Sequence, residues 1–174
     1  MIGIERGANY RKIVGNFGEY LVCQKLSRSG FDVCIVDHTG MDIIAYNPKT
    51  KLRLGITVKS RTRILGKETG SVYIFREGDR QKLLDACEAF GCRPWIAVYA
   101  EYDEGADLFL TSLANYEKKY RSKEKRAVDA WIMTGLQKVK YSLDREVRHI
   151  GIEFKAKNWW PVASIAEPSK SVPS

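Results

Sequence analysis

The spacing of apolar residues changes along the first hundred residues of this chain. Residues 10–29 repeat apolar side chains at steps of three and four, which predicts a helix ended by Gly30. Residues 31–36 and 41–46 predict two short strands, and residues 52–63 alternate with a period of two. We therefore expect one helix followed by three neighbouring strands.

The stretch 52–63 predicts a strand with two unlike faces. One face is apolar and the other is polar, with Arg53, Gly55, Thr57, Lys59, Arg61 and Arg63 in succession. A solvated face normally mixes acids with bases, whereas this one has four cations and no acid. We expect it to meet an anion, with Gly55 leaving room for the approach.

Further along the chain the pattern predicts a strand at 72–75, a helix capped by Asp79 and ending near Phe90, and an apolar strand at 94–100. An edge strand at 108–110 completes a mixed α/β architecture of helix, three strands, helix and strand. Beyond residue 115 we expect a basic helix at 116–133 and short strands at 138–141 and 149–154. The predicted organisation is a core domain at 1–115, a basic C-terminal extension at 116–166 packed on it, and a disordered tail at 167–174.

The chain has a basic surplus that lies late in the sequence. Its 174 residues suit one domain, and their formal net charge is +8. Residues 1–110 contain 16 Lys and Arg against 14 Asp and Glu, whereas residues 111–160 contain 12 against 6. Such a surplus favours nucleic acid or an anionic membrane surface, with solubility alone as the alternative. The candidates for phosphate contact in this region are Lys118, Lys119 and Arg121.

The sequence also predicts where the protein works. Residues 1–12 lack the apolar core of a signal peptide, and no stretch reaches the roughly 20 apolar residues of a membrane span. We expect a cytoplasmic protein whose four cysteines are reduced and buried, without a zinc site. These cysteines are Cys23, Cys34, Cys87 and Cys92.

Three residues in separate elements point to one chemistry. Glu19 shares a helical face with apolar residues, Asp42 opens the second strand, and Lys59 lies on the polar face of the third. Same-face residues of neighbouring antiparallel strands lie within about 5 Å, so Asp42 and Lys59 can meet. Carboxylates hold Mg²⁺, and a lysine can stabilise charge on a phosphate. Such a site hydrolyses phosphodiesters.

These residues lie in motifs that resemble the PD-(D/E)XK nuclease superfamily, most closely the archaeal-type Holliday junction resolvases. The motifs are Gly-Asn-Phe-Gly-Glu at 15–19, Gly-Met-Asp at 40–42 and Ile-Thr-Val-Lys-Ser at 56–60, and the likeness covers about residues 10–115. It implies a restriction-endonuclease-like core and a Mg²⁺- or Mn²⁺-dependent endonuclease acting on branched or structured DNA as a homodimer. It also implies that Glu19 and Asp42 are metal ligands, that Lys59 is the catalytic lysine, and that Ser60, Arg61, Arg63 and Lys67 face DNA.

One position departs from the pattern of that superfamily. Thr57 stands two residues before the lysine, at a metal-ligand position where the superfamily has Glu, Asp or Gln. An acid from the following helix can replace the missing one, and the local candidates are Glu77, Asp85 and Glu88. Two alternatives to the enzyme remain open. One is an inactive nuclease fold that binds nucleic acid, and the other is an interaction protein that does not.

Overall fold

A computed structural model describes residues 7–63, 70–102, 104–121 and 128–155. The helices of this part are α1 (Tyr10–Arg28), α2 (Asp79–Ala89), α3 (Leu113–Lys119) and α4 (Gly135–Leu143). Its strands are β1 (Asp32–His38), β2 (Met41–Asn47), β3 (Leu52–Thr62), β4 (Ser71–Phe75), β5 (Arg93–Tyr102), β6 (Gly105–Ser112), β7 (Asp129–Ile132) and β8 (Val147–Glu153). None of the helices in these ranges combines the length and the apolar character needed to cross a membrane.

Six of the strands form one mixed sheet in the order β1-β2-β3-β5-β6-β8. Only β3 and β5 run parallel, because α2 crosses over between them, and the other neighbours are antiparallel. The remaining strands, β4 and β7, pair with each other in a separate antiparallel ribbon. The predicted mixed α/β architecture is confirmed.

Helices α1 and α2 cover opposite faces of this sheet. On the α1 side the core includes Val22 and Leu26 of the helix with Ile43, Ile56 and Tyr99 of the strands. On the α2 side it includes Leu83, Cys87, Ile96, Phe109, Trp131 and Tyr141. The apolar periodicity of residues 10–29 reflects the burial of one face of α1, and the apolar residues of β3 reflect its burial between the two helices.

The prediction that β3 has one polar, anion-facing side is wrong for the middle of the strand, at Gly55 and Thr57. A Cβ added to Gly55 would lie 2.5 Å from Cys87 Sγ, so the space at this glycine is filled by α2 rather than by an anion. Thr57 is only 4% exposed. On this face Gly55 and Thr57 are buried, whereas Arg53 at the start of the strand and Lys59 and Arg61 toward its end reach solvent. A strand at the centre of a sheet covered by helices is buried on both faces.

Four predictions of secondary structure are wrong in detail. The strand at 108–110 is not an edge, because β8 pairs with β6 along its length. The segment 116–133 is not one helix, since α3 ends at Lys119 and β7 begins at Asp129. Residues 138–141 belong to α4 rather than to a strand. Asp79 is the first residue of α2 and not its cap, which is Gly78 with φ of 79°.

The described residues after 115 pack directly against the rest of the protein. Trp131 of β7 is fully buried, and its ring contacts Phe109, Tyr116 and Tyr141. Strand β8, predicted as 149–154, extends the main sheet. The division at residue 115 stays a prediction, and the tail at 167–174 lies outside the described residues.

The four cysteines are free. Cys23 and Cys87 are buried as expected, whereas Cys34 is exposed, so the prediction of burial is wrong there. Cys34 lies on β1, which is the outermost strand of the sheet among the described residues, and Cys92 is only half-buried.

Candidate active site

The last residues of β3, from Val58 to Arg61, form the floor of a cleft of about 460 Å³. Its walls come from the N-terminal half of α1, from β4 and from the start of α2. Lys59 is half-buried and lies on this floor beside the exposed Arg61. The lining residues are Arg11, Gly15, Glu19, Val58, Lys59, Ser60, Arg61, Tyr73, Ile74, Arg76 and Asp79.

Asp42 is held in place by β3. The ladder between β2 and β3 ends at the pair Ile43 and Ile56, so the next backbone N–H groups of β3 have no strand partner on this side. The Asp42 carboxylate replaces that partner: its Oδ2 accepts a hydrogen bond from Val58 N at 2.6 Å. An aspartate at the end of a strand thus satisfies a backbone donor that would otherwise lack a partner.

Thr57 adds a second hydrogen bond to the same oxygen. Its hydroxyl donates to Asp42 Oδ2 across 3.1 Å. The Thr57 side chain is buried and points at the carboxylate from the neighbouring strand, which explains why a short polar residue suits this position. Its hydroxyl orients Asp42, and the metal-ligand role implied for Thr57 stays a prediction.

Glu19 reaches the site because α1 approaches β3 closely at the preceding residue. A Cβ on Gly18 would lie 2.3 Å from Ser60 Oγ and 3.1 Å from Tyr99 Cβ, so any larger residue here would force Ser60 or the helix to move. Burial raises the pKa of the Glu19 carboxyl above its ordinary value, and the charge of Asp42 raises it further. The Lys59 ammonium acts in the opposite direction and lowers that pKa. Asp42 and Lys59, both predicted from sequence, therefore lie close enough to Glu19 to influence its pKa.

This pair of carboxylates is suited to a hard cation. Two like charges in a partly buried place repel, and a cation between them relieves that repulsion. Mg²⁺ is commonly bound by only one or two carboxylates, with water and substrate phosphate completing its shell. Within the described ranges, no group of three or more His, Cys, Asp and Glu side chains could hold a metal ion. The residues present thus fit Mg²⁺ through Glu19 and Asp42, without a third acid.

Two residues of the cleft lining were not predicted as such from sequence: Arg11 of α1, and Asp79, which was expected only to cap α2. Partial burial alone would raise the pKa of Asp79, but hydrogen bonds from Arg76 N–H and Lys82 outweigh it and lower that pKa. Lys59 contributes to the same lowering. Of the alternative acids, Glu77, Asp85 and Glu88 are exposed and do not line the cleft, whereas Asp79 does. A basic residue at the start of a helix carries no periodic signal, so sequence could not identify Arg11.

The residues expected to face DNA fall into different places. Ser60 points toward α1, where its hydroxyl lies 3.5 Å from Gly15 O, while Arg61 is exposed in the cleft. Arg63 is half-buried and donates to the backbone oxygen of Ser71, joining the end of β3 to β4. Lys67 lies outside the described residues.

The late basic residues lie on α3 and just after it, outside the cleft lining. Lys118 is exposed. Lys119 is engaged with Asp144 at 2.9 Å and with Glu146 at 2.7 Å. Arg121 Nη2 lies 2.9 Å from Asp129 Oδ2. Ion pairs therefore already engage Lys119 and Arg121, and their predicted phosphate contacts stay predictions.

A larger hollow of about 790 Å³ lies toward the opposite end of β3. It is mainly apolar, with Leu54, Trp95, Leu108 and Ile150 among its lining residues. It contains none of the three site residues, so its size does not identify it as the place of the chemistry.

No protein-family model matches this sequence, and no curated protein matches it significantly. Among solved structures, the chain is similar to Hjc, a Holliday junction resolvase of Archaeoglobus fulgidus, with a TM-score of 0.50 and 18% identity. That similarity covers 68% of this chain and 83% of the resolvase. A restriction endonuclease in complex with substrate DNA is also similar, with a TM-score of 0.44 and 14% identity over 86% of this chain and 73% of that one.

The similarity to the resolvase extends over 68% of this chain at 18% identity. At this level of identity it is evidence of the fold alone. The chain has a restriction-endonuclease-like fold, a central mixed sheet flanked by helices, as its sequence predicts.

Proposed function

We propose that this protein is a metal-dependent endonuclease that hydrolyses phosphodiester bonds in DNA. The observation that supports this most directly is the convergence of Glu19, Asp42 and Lys59 at one end of β3, where both neighbours influence the pKa of Glu19. The cleft that Glu19 and Lys59 line has four cationic side chains against two acidic ones, and Asp42 lies outside this lining. This charge excess suits a polyanionic backbone.

In this proposal each residue has one task. Glu19 and Asp42 would hold Mg²⁺ or Mn²⁺, which when bound supplies Lewis acidity toward the scissile phosphate. Lys59 donates hydrogen bonds to the phosphate oxygen on which negative charge develops, or to the attacking water. Thr57 and the backbone of Val58 keep the Asp42 carboxylate oriented.

The proposal is tested by cleavage of labelled four-way junctions and linear duplexes with Mg²⁺, Mn²⁺ or EDTA. Lys59→Ala should reduce the cleavage rate by about 10²- to 10³-fold, the usual effect of removing one donor to a developing charge. Lys49→Ala, an exposed lysine in the β2–β3 turn, is the matched control and should cleave as wild type does. If the wild-type protein cut neither substrate with either metal, the proposed endonuclease activity would be wrong.

The second candidate is an inactive nuclease fold that binds DNA. It is favoured by one observation, the buried hydroxyl of Thr57 in place of an acid. Wild-type protein that binds DNA without cutting it, and Thr57→Glu that gains metal-dependent cleavage, would support this candidate. Either DNA-binding function predicts that log Kd changes with log salt with a slope of about 0.9 per phosphate contacted.

The substrate we propose is branched or otherwise structured DNA, in line with the resolvase likeness, and the setting is DNA repair or recombination in the cytoplasm. Cutting two strands of a symmetric branch in step needs two active sites, so the proposal includes a homodimer. Sedimentation of the protein with and without a four-way junction measures this. A monomer on the junction would contradict it.

A further inference from the structure

The outer face of the β4–β7 ribbon presents an exposed aromatic ring to the active-site cleft. In the register of this ribbon Tyr73 pairs with Ala130 and Ser71 pairs with Ile132, so these four side chains share one face. The opposite face is buried against the core through Val72, Ile74 and Trp131. Tyr73 is 59% exposed and Ile132 is 45% exposed.

Packing does not account for this tyrosine. Strand β4 has two aromatic residues, and Phe75 is 3% exposed, so the strand is anchored without Tyr73. Because the ring stays in solvent, the folded protein forgoes the stabilisation that burying this apolar surface would give. Its position lining the same cleft as Lys59 gives it access to whatever that lysine contacts.

The surroundings of the ring indicate the chemical class of its ligand. Arg61 and Arg76 line the same cleft as Tyr73. Within the described residues, neither arginine forms a salt bridge with an acidic side chain. An aromatic face next to cations is the arrangement that binds single-stranded nucleic acid, where bases stack on rings and the backbone follows the charges. Bases inside an intact duplex are stacked on each other and offer no free face to a side chain.

We propose that Tyr73 stacks on an unpaired nucleobase next to the phosphate held at Lys59. The tyrosine thereby selects DNA in which pairing is interrupted, such as a single strand, a fork or the centre of a branch. This inference rests on the proposed function for its ligand, DNA, and adds Tyr73 as the residue that recognises unpaired bases. Ile132 extends the apolar surface beside the ring.

Equilibrium binding in EDTA separates this role from cleavage. The probes are a short single strand carrying 2-aminopurine and a blunt hairpin duplex, at one low salt concentration. Tyr73→Ala should weaken single-strand binding roughly five- to hundredfold and abolish the quenching of 2-aminopurine, the range expected for one stacked base. Its duplex affinity should change less than about twofold, and the salt slope should stay unchanged because no charge is removed.

Two further variants make the result specific. Tyr73→Phe keeps the ring and should bind the single strand as wild type does. Tyr20→Ala removes a tyrosine that is 64% exposed on α1 and does not line the cleft, and it should have no effect. Equal losses on both probes, or a Tyr73→Ala protein with wild-type single-strand affinity and quenching, would overturn the stacking role while leaving the nuclease intact. A wild-type protein that binds neither probe would instead overturn the proposed DNA-binding function and this inference with it.

Discussion

Replacing Gly18 with alanine should damage both the stability of the protein and its candidate site. The added Cβ would meet Ser60 Oγ at 2.3 Å and Tyr99 Cβ at 3.1 Å. Overpacking of this kind costs about 1–3 kcal/mol. Alanine within a helix gains up to about 1 kcal/mol over glycine, which offsets part of that cost.

Gly15 provides the matched control on the same helix. A Cβ at Gly15 would meet nothing within 4 Å, so Gly15→Ala should gain the helix propensity without a clash. The difference between the two variants cancels propensity and isolates the overpacking, for which we expect about 1–3 kcal/mol in the free energy of unfolding. Urea unfolding followed by tryptophan fluorescence measures it.

A double variant identifies the atom responsible. Ser60→Ala removes the Oγ and leaves a Cβ at 3.5 Å, which is an ordinary contact. Gly18→Ala should therefore cost less in the Ser60→Ala background than in wild type, with a coupling of at least about 0.5 kcal/mol. If Gly18→Ala stabilised the protein as much as Gly15→Ala does, the close approach that positions Glu19 would be refuted.

Three further predictions concern the same architecture. Gly40→Ala should lower the free energy of unfolding by at least about 2 kcal/mol, because φ is +111° and the new Cβ would lie 2.4 Å from the backbone oxygen of Lys82; an unchanged urea midpoint would contradict this. Asp144→Asn should destabilise the protein by about 1–3 kcal/mol at neutral pH. Because the hydrogen bond from Tyr120 lowers the Asp144 pKa, that stability is present above the unfolded pKa and disappears as pH falls through the folded one, so the two proteins should converge in acid. Glu19→Gln should stabilise the metal-free protein at neutral pH and not at acidic pH, since burial raises the Glu19 pKa and the carboxyl's contribution is lost as pH rises through that value; equal stability curves from acid to neutral pH would refute it.

The elements decided by nearby residues could be predicted from the sequence. Helix α1 and strands β2 and β3 show clear periodicity over seven or more residues, and the turn between the strands is set by local backbone chemistry. Glu19, Asp42 and Lys59 could be proposed as candidate site residues because each lies at a fixed place in these elements.

The elements decided by distant partners could not be predicted. The segment at 116–133 has a helical composition, yet Trp131 forms a strand because Val72 of β4 pairs with it across nearly sixty residues of chain. In 138–141 a four-residue alternation is too short to distinguish a strand from a helix, and α4 buries only Tyr141. Likewise, β6 is not an edge because its partner β8 comes some forty residues later.

The pairing of β4 with β7 also sets the order in which the protein can be completed during synthesis. A nascent chain that has emerged only as far as β6 contains five strands of the main sheet, but one wall of the cleft still lacks its partner. Until β7 is made, β4 has an unpaired edge and the apolar Val72 and Ile74, a combination that promotes association between chains. Premature termination after β6 should therefore yield an aggregation-prone chain, and the cleft should form only once β7 has been made.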